Sequence, residues 1–165
     1  MKSLHDQNLV HLDIKLDNIL ITNGDVCKLA DFGLVFDLNS NNRSRAIEGD
    51  SRYLAPELMQ GEYCLANDIF SLGITTLELA SNLELPTNGA LWQQLRTSVY
   101  PDDIMKSVSI ELKTVIKSMM EPNHQLRPTV DILLKNPTIM KLQLQRNVRK
   151  TVKKCVIKHK SYSYN

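Results

Sequence analysis

Four polar residues near the start of the chain have types and spacings that chemistry can use. Asn18 immediately precedes a short apolar run, Ile19-Leu20-Ile21-Thr22. Asp31 lies just past a second run, Val26-Cys27-Lys28-Leu29, with Ala30 between. Asn23-Gly24-Asp25 separates the two runs. Asn-Gly tolerates the positive φ that a type I′ turn needs at both central positions, so this stretch reads as a β-hairpin. Antiparallel neighbours lie roughly 4.8 Å apart, so Asn18 and Asp31 emerge side by side at the hairpin's open end. An amide oxygen and a carboxylate placed together can share a hard divalent cation. Mg²⁺ favours such ligands and fills its remaining positions with water and substrate phosphates. Asp13, on the incoming loop, is a second acid for the same mouth, free to act on a hydroxyl. Lys15 can neutralise a transferring phosphoryl group. The set suits phosphoryl transfer, where positioning and charge neutralisation supply most of the catalysis. Taken singly, Asp13 and Asp17 are ordinary loop acids and Asn18 a turn residue; Asp31 at the paired strand end gives them weight together.

The elements that must carry these residues are mostly helical. Residues 1–8 read as the end of a helix. Asn39 to Arg45, rich in Asn, Ser and Arg, reads as a mobile surface loop. Ala66 to Ala80 is the most apolar stretch. Its Ile69, Phe70, Leu72, Ile74, Leu77 and Leu79 cover more than one face, which predicts a helix buried nearly all round. Leu91, Trp92 and Leu95 mark a shorter helix. Leu112, Val115, Ile116, Met119 and Met120 recur at helical spacing behind Ser109, a candidate N-cap. Thr129 is placed to cap a last short helix ending near Asn136-Pro137. Phe70, Trp92 and the two methionines are expected in the core. His11 is expected to be packed and hydrogen-bonded rather than a base. His5, His124 and His159 lack ligand spacing, so no transition-metal site is expected.

His11-Leu12-Asp13-Ile14-Lys15-Leu16-Asp17-Asn18 resembles the catalytic loop of protein kinases. Asp31-Phe32-Gly33 resembles their metal-binding motif, and Ala55-Pro56-Glu57 the end of their activation segment. Asp68 and Arg127 match two further family positions. The resemblance covers about residues 1–136. Glu48-Gly49-Asp50-Ser51-Arg52-Tyr53, Asn82-Leu83-Glu84-Leu85-Pro86 and Trp92-Gln93-Gln94-Leu95-Arg96 are similar to the Wee/Myt kinases, the Myt branch above all. That resemblance implies inhibitory phosphorylation of a cyclin-dependent kinase, on its glycine-rich loop, in cell-cycle control, with ATP and Mg²⁺. It implies that Asp13 orients and deprotonates the substrate hydroxyl and that Lys15 contacts the γ-phosphate. Asn18 and Asp31 would hold Mg²⁺, and Leu20 would floor the adenine. Asp68 would pin the catalytic-loop backbone, and Glu57 would pair with Arg127. Lys15 resembles the Ser/Thr type of loop, yet the Wee/Myt relatives also phosphorylate Tyr, so the acceptor stays open. Leu12 stands where many kinases have an Arg that binds a phosphorylated activation loop, so no switch of that kind is expected. Leu16 replaces the usual Pro and removes no catalytic group.

The expected fold is therefore mainly α: a protein-kinase-like C-terminal lobe over residues 1–136 with a small β-hairpin at the active-site edge, and a basic tail over 137–165. The N-terminal lobe of a kinase contributes a Gly-rich loop, a strand Lys and a helix Glu. The glycines here, at 24, 33, 49, 61, 73 and 89, never fall two apart. Only ten residues precede His11. The expectation is that this lobe is absent from the chain, which alone should not turn over ATP. The alternative is a non-catalytic module that keeps the kinase lobe for binding a partner. The four retained residues favour the first reading.

The 165 residues are 42% apolar and 23% charged, values of an ordinary soluble domain. The longest uncharged stretch, Leu85 to Leu95, holds Pro, Asn and two Gln, and nothing approaches the roughly 20 apolar residues of a membrane span. No signal sequence is evident at the start. Cys27, Cys64 and Cys155 are few and widely spaced, as in a reducing compartment. An intracellular site is expected: the cytoplasm, the cytoplasmic face of internal membranes, or the nucleus. The net charge of +2 hides an asymmetry. Residues 132–165 hold nine of the twenty Lys and Arg and no acid, leaving the body at −7. Val148, Val152, Cys155 and Val156 fall at helical spacing among basic residues. That pattern suits peripheral contact with an anionic membrane, or simply a solvated tail. Nucleic acid is not an expected partner, and a monomer is expected.

Overall fold

A computed structural model describes residues 1–40, 49–101 and 103–147. Contacts divide the chain into residues 1–130 and 131–165. The first unit opens with α1 (Lys2–His5) and β1 (Leu9–Val10). A 3₁₀ turn over Leu16–Asn18 leads into β2 (Ile19–Ile21) and β3 (Cys27–Leu29), and β4 (Phe36–Asp37) follows. Beyond these the chain is helical: α2 (Leu65–Ser81), α3 (Gly89–Arg96) and α4 (Ile110–Met119), with α5 (Val130–Leu134) at the boundary. The mainly helical fold with a small hairpin is thus the one expected.

The hairpin pairs Ile19 with Leu29, Leu20 with Lys28 and Ile21 with Cys27. Its turn differs from the expected type I′. The Asp25 amide donates to the Thr22 carbonyl at 2.9 Å, and positive φ falls on Asp25 (55°), not on Asn23 or Gly24. That is the three-residue form, a type I turn closed by a left-handed residue. A second antiparallel pair joins Leu9 to Asp37 and Val10 to Phe36. Neither two-residue strand has a sequence signature. They frame a small apolar cluster of Val10, Leu12 and Phe36, with Tyr63 stacked on Phe36 at 4.7 Å.

The main core gathers Phe70, Ile74, Leu77, Leu95, Ile116 and Met120 from α2, α3 and α4. α2 starts at a capping box in which the Cys64 amide donates to Asn67 Oδ1 at 2.8 Å. It stops at Asn82, whose left-handed φ of 52° ends the hydrogen-bond ladder. From Asn67 to Leu77 the helix is buried but for the half-buried Leu72 and Thr76; Leu79 is 71% exposed, a departure from the expectation. α4 begins at Ser109, whose Oγ accepts from the Leu112 amide at 3.3 Å, as its sequence predicts. α2 and α4 touch at Gly73, where a Cβ would lie 2.7 Å from Met120 Cγ.

In the second unit the backbone is helical over 137–147. Asn136 caps this stretch, accepting from the Thr138 amide at 2.9 Å, with Pro137 suited to a first helical position. Most of the expected 39–45 loop, and the basic stripe from Val148 to Val156, lie outside the described residues. Among the described residues, no helix is long and apolar enough to cross a membrane.

Candidate active site

The loop from His11 to Asn18 is held from beneath by α2. Asp68 is fully buried. Its Oδ2 accepts from the His11 amide and its Oδ1 from the Leu12 amide, both at 2.9 Å. His5 Nε2 lies 2.9 Å from the same Oδ2. Two turns further, Thr75 Oγ1 donates to the Ile14 carbonyl at 3.3 Å. Between them, Ser71 Oγ donates to the Tyr53 carbonyl at 2.9 Å. Residues 68, 71 and 75 share one helix face, so α2 carries a buried polar stripe that grips two loops at once. Leu12 takes a positive φ of 65°, which turns its side chain into the cluster with Phe36.

His11 is buried and its role follows from its partners. Nδ1 accepts from the Asp13 amide at 3.3 Å, so Nε2 carries the proton and donates to the Ala30 carbonyl at 3.1 Å. His11 therefore ties the loop to the end of β3, as a packed residue and not a base. The Phe32 ring meets it edge-on at 5.4 Å.

The predicted residues meet around Asp13. Lys15 Nζ lies 2.8 Å from Asp13 Oδ2. Asn18 Nδ2 donates to the same Oδ2 at 2.7 Å and to the Asp13 carbonyl at 2.8 Å. Oδ1 of Asp13 has no partner among the described residues. The hydrogen bond to Asp13, reinforced by the fields of Asp13, Asp50 and Asp17, holds the Lys15 pKa above its ordinary value. With the Asn18 amide nitrogen committed to Asp13, its Oδ1 is left without a donor among the described residues. Asp31 stands at the same hairpin end, since the Ala30 amide donates to the Asn18 carbonyl at 2.9 Å. It takes a left-handed φ of 58° and makes no direct bond to Asp13, Lys15 or Asn18. One of its oxygens accepts from the Gly33 amide at 3.1 Å; the other is unpartnered among the described residues. Leu20 lies on β2 and is 57% exposed.

Glu57 and Arg127 form the expected buried pair, with two contacts of 2.5 and 2.7 Å. Asn67 Nδ2 adds a bond of 2.7 Å to Glu57. Glu57, Cys64 and His124 also bring ligand atoms within 4.8 Å of one another. Both Glu57 oxygens are already taken, and burial raises the Cys64 pKa, so this cluster favours no cation.

Sequence reasoning missed three things here. His5 was weighed only as a metal ligand, and its contact with Asp68 was not foreseen. Ser71 and Thr75, which extend the expected hold of Asp68, were hidden inside an apolar helix, although polar residues three and seven positions after Asp68 are their signal. Trp92, expected in the core, is half-buried, and its Nε1 donates to the Ser51 carbonyl at 2.9 Å beside a buried Arg96.

Over residues 1–139 the chain matches the protein kinase domain, and it belongs to that family. It is 55% identical, over 88% of its length, to the membrane-associated tyrosine- and threonine-specific cdc2-inhibitory kinase of Drosophila melanogaster. It is 42% identical, over 93%, to the Caenorhabditis elegans kinase of the same description, wee-1.3. To the mitosis inhibitor protein kinase wee1 of Schizosaccharomyces pombe it is 33% identical over 88%. These relatives make it a member of the Wee/Myt type. The matches span only 28%, 22% and 19% of the lengths of the three relatives.

Proposed function

We propose that these residues form the catalytic-loop side of a kinase that transfers the ATP γ-phosphoryl group to a hydroxyl of a cyclin-dependent kinase. The observation that carries the reading is the state of Asp13. One of its oxygens is saturated by Lys15 and Asn18 at 2.8 and 2.7 Å, while the other is open among the described residues. A carboxylate so held can turn only its free Oδ1 to an incoming hydroxyl. The hydroxyl oxygen attacks the γ-phosphorus, its proton passes to Asp13 Oδ1, and the bond to the bridging oxygen breaks as ADP leaves. Lys15 places a positive charge beside the phosphoryl group as charge spreads over its oxygens. The free oxygens of Asn18 and Asp31 fit a hard cation, and these two residues would hold Mg²⁺. That ion, when bound, neutralises the charge building on the phosphates. Leu20 supplies an exposed apolar surface that suits an adenine face.

The relatives named for cdc2 inhibition support the choice of substrate, and their description as membrane-associated supports a place at a membrane surface. Liposome co-sedimentation of the chain with and without residues 146–165 tests that place; binding indifferent to the deletion dismisses the tail as the contact.

The test of the reaction is transfer of labelled phosphate to a cyclin-dependent kinase by the full-length protein and by Asp13→Asn. The expected loss is on the order of 10²-fold or more in kcat, the range of a removed general base, with the fold unchanged. Unchanged turnover in Asp13→Asn overturns the reading. The 165 residues alone contain no G-x-G loop, so we further propose that in isolation they transfer no phosphate. Turnover by them at an ordinary rate refutes that.

A further inference from the structure

Arg96 is 4% exposed and has no carboxylate partner among the described residues. Its guanidinium is instead enclosed by main-chain carbonyls. Nε donates to Leu54 O at 3.1 Å, and one terminal nitrogen to Ser51 O at 2.9 Å and Arg52 O at 3.1 Å. The other terminal nitrogen donates to Trp92 O at 3.0 Å. The plane lies over the Trp92 ring at 3.7 Å. Trp92 Nε1 adds a second bond to Ser51 O, and Ser71 Oγ takes Tyr53 O. Every carbonyl from Ser51 to Leu54 is therefore held by a side chain of α2 or α3.

This short segment lies against the catalytic loop. Gly49, just before it, sits so close that an added Cβ would be 3.2 Å from Leu12 O and 3.0 Å from Leu54. The same face of α2 that takes Tyr53 O also takes Ile14 O through Thr75. Loop and segment are thus set by one ruler, and Arg96 adds a second hold on the segment, from α3. Burial pulls the Arg96 pKa down to about 10, still charged at neutral pH.

We propose that Arg96, stacked on Trp92, is a positioning residue for the protein substrate, fixing the main chain of residues 51–54 beside Asp13 by carbonyl contacts that need no phosphate on the segment. A planar fork with five donors can reach four carbonyls at fixed angles; a lysine ammonium with three donors cannot. Loosening the segment divides the competent population and raises the apparent KM for a substrate that lies on it. ATP, held elsewhere, does not sense it.

The proposal rests on the kinase reading above for its kinetic arm only. In the full-length protein, Arg96→Lys is expected to raise the KM for the protein substrate by roughly tenfold. The KM for ATP should stay within about twofold. Trp92→Phe keeps the stack and loses one bond to Ser51 O, and should shift the protein KM less. Hydrogen exchange supplies an arm independent of activity. The amides of Arg52 and Tyr53, bonded to Asp50, should exchange about tenfold faster in Arg96→Lys, while those of α4 keep their rates. A wild-type protein that transfers no phosphate sinks the kinase reading and leaves the exchange arm to decide. Unchanged protein KM per folded enzyme, or unchanged exchange over 51–54, overturns the role of Arg96.

Discussion

The segment from Ser51 to Glu57 is held at each end by a buried arginine, and the two are held in different ways. Arg127 faces a carboxylate. Its two terminal nitrogens meet both oxygens of Glu57, and the remaining donors reach the carbonyls of Glu121, Ala66 and Pro122. Among the described residues Arg96 faces carbonyls alone, with Trp92 beneath it. Both lie over the ring of Phe70, at 4.9 and 5.9 Å. The environments look alike in burial and differ in what removal leaves behind. Without Arg127, a buried carboxylate is stranded. Without Arg96, neutral carbonyls are freed, and these can turn to water if the segment moves. The first arginine secures stability and the second secures position.

The largest expected effect follows from the stranded charge. Arg127→Met should cost roughly 3–5 kcal/mol, the range for breaking one side of a buried ion pair. Glu57→Gln, which keeps an acceptor for Asn67 or Arg127, should cost less. Denaturant midpoints at neutral pH measure both. A cost for Arg127→Met below about 1 kcal/mol, the surface-pair range, would erase the contrast. Arg96→Lys should cost only about 1–2 kcal/mol, the scale of a lost hydrogen bond or two. An Arg96→Lys penalty equal to that of Arg127→Met would show that both arginines are structural.

A variant that destabilises without touching the segment sharpens the point. Gly73 faces Met120 and Met119, both buried, and a Cβ there would lie 2.7 and 3.0 Å from their side chains. Gly73→Ala should push α2 from α4 and cost roughly 1–3 kcal/mol by overpacking. Per folded molecule, its KM for protein substrate should match the wild type. If Gly73→Ala shifts that KM as far as Arg96→Lys does, the KM is reporting general loosening.

What could be read from the sequence divides along the same line. The helices declare themselves because side chains of one kind recur at a helical period, and the hairpin because Asn-Gly punctuates two apolar runs. Asp13, Lys15, Asn18 and Asp31 are legible because short loops leave little freedom between them. The exact turn is less so: left-handed φ settles on Asp25, since nearby conformers differ little in energy. The β1–β4 pair joins Leu9 to Asp37 and Val10 to Phe36 through two-residue strands too short for any alternation. The cage around Arg96 is hidden for a deeper reason. Its acceptors are main-chain carbonyls, which every residue carries, so no residue type at 51, 52 or 54 betrays it. His5 on Asp68 is hidden likewise, because contact between residues 63 apart depends on the fold alone.

The smallest expected effect concerns Asp50, which ties the caged segment to itself. Arg52 Nε reaches Asp50 Oδ1 at 2.9 Å, its Nη2 lies 2.5 Å from Oδ2, and its amide donates to Oδ1 at 3.1 Å. These bonds, with the Lys15 charge nearby, hold the Asp50 carboxyl below its ordinary value of 3.8. The folded state therefore binds its proton more weakly than the unfolded chain does. The stabilisation is complete above the unfolded value and is lost as pH falls through the lowered folded one. Because Arg52 is 36% exposed in its side chain, solvent screens the pair, and about 1 kcal/mol is an upper bound. Asp50→Asn should be slightly less stable than wild type at pH 7 and at pH 5. The difference should shrink as pH falls below 3.8, where the carboxyl protonates in the unfolded chain before it does in the folded one. Urea midpoints across that range read it directly. A gap that persists undiminished to pH 2 would mean that Asp50 acts by shape, not by charge. The hold on residues 51–54 would then be geometric throughout, as it is at Arg96.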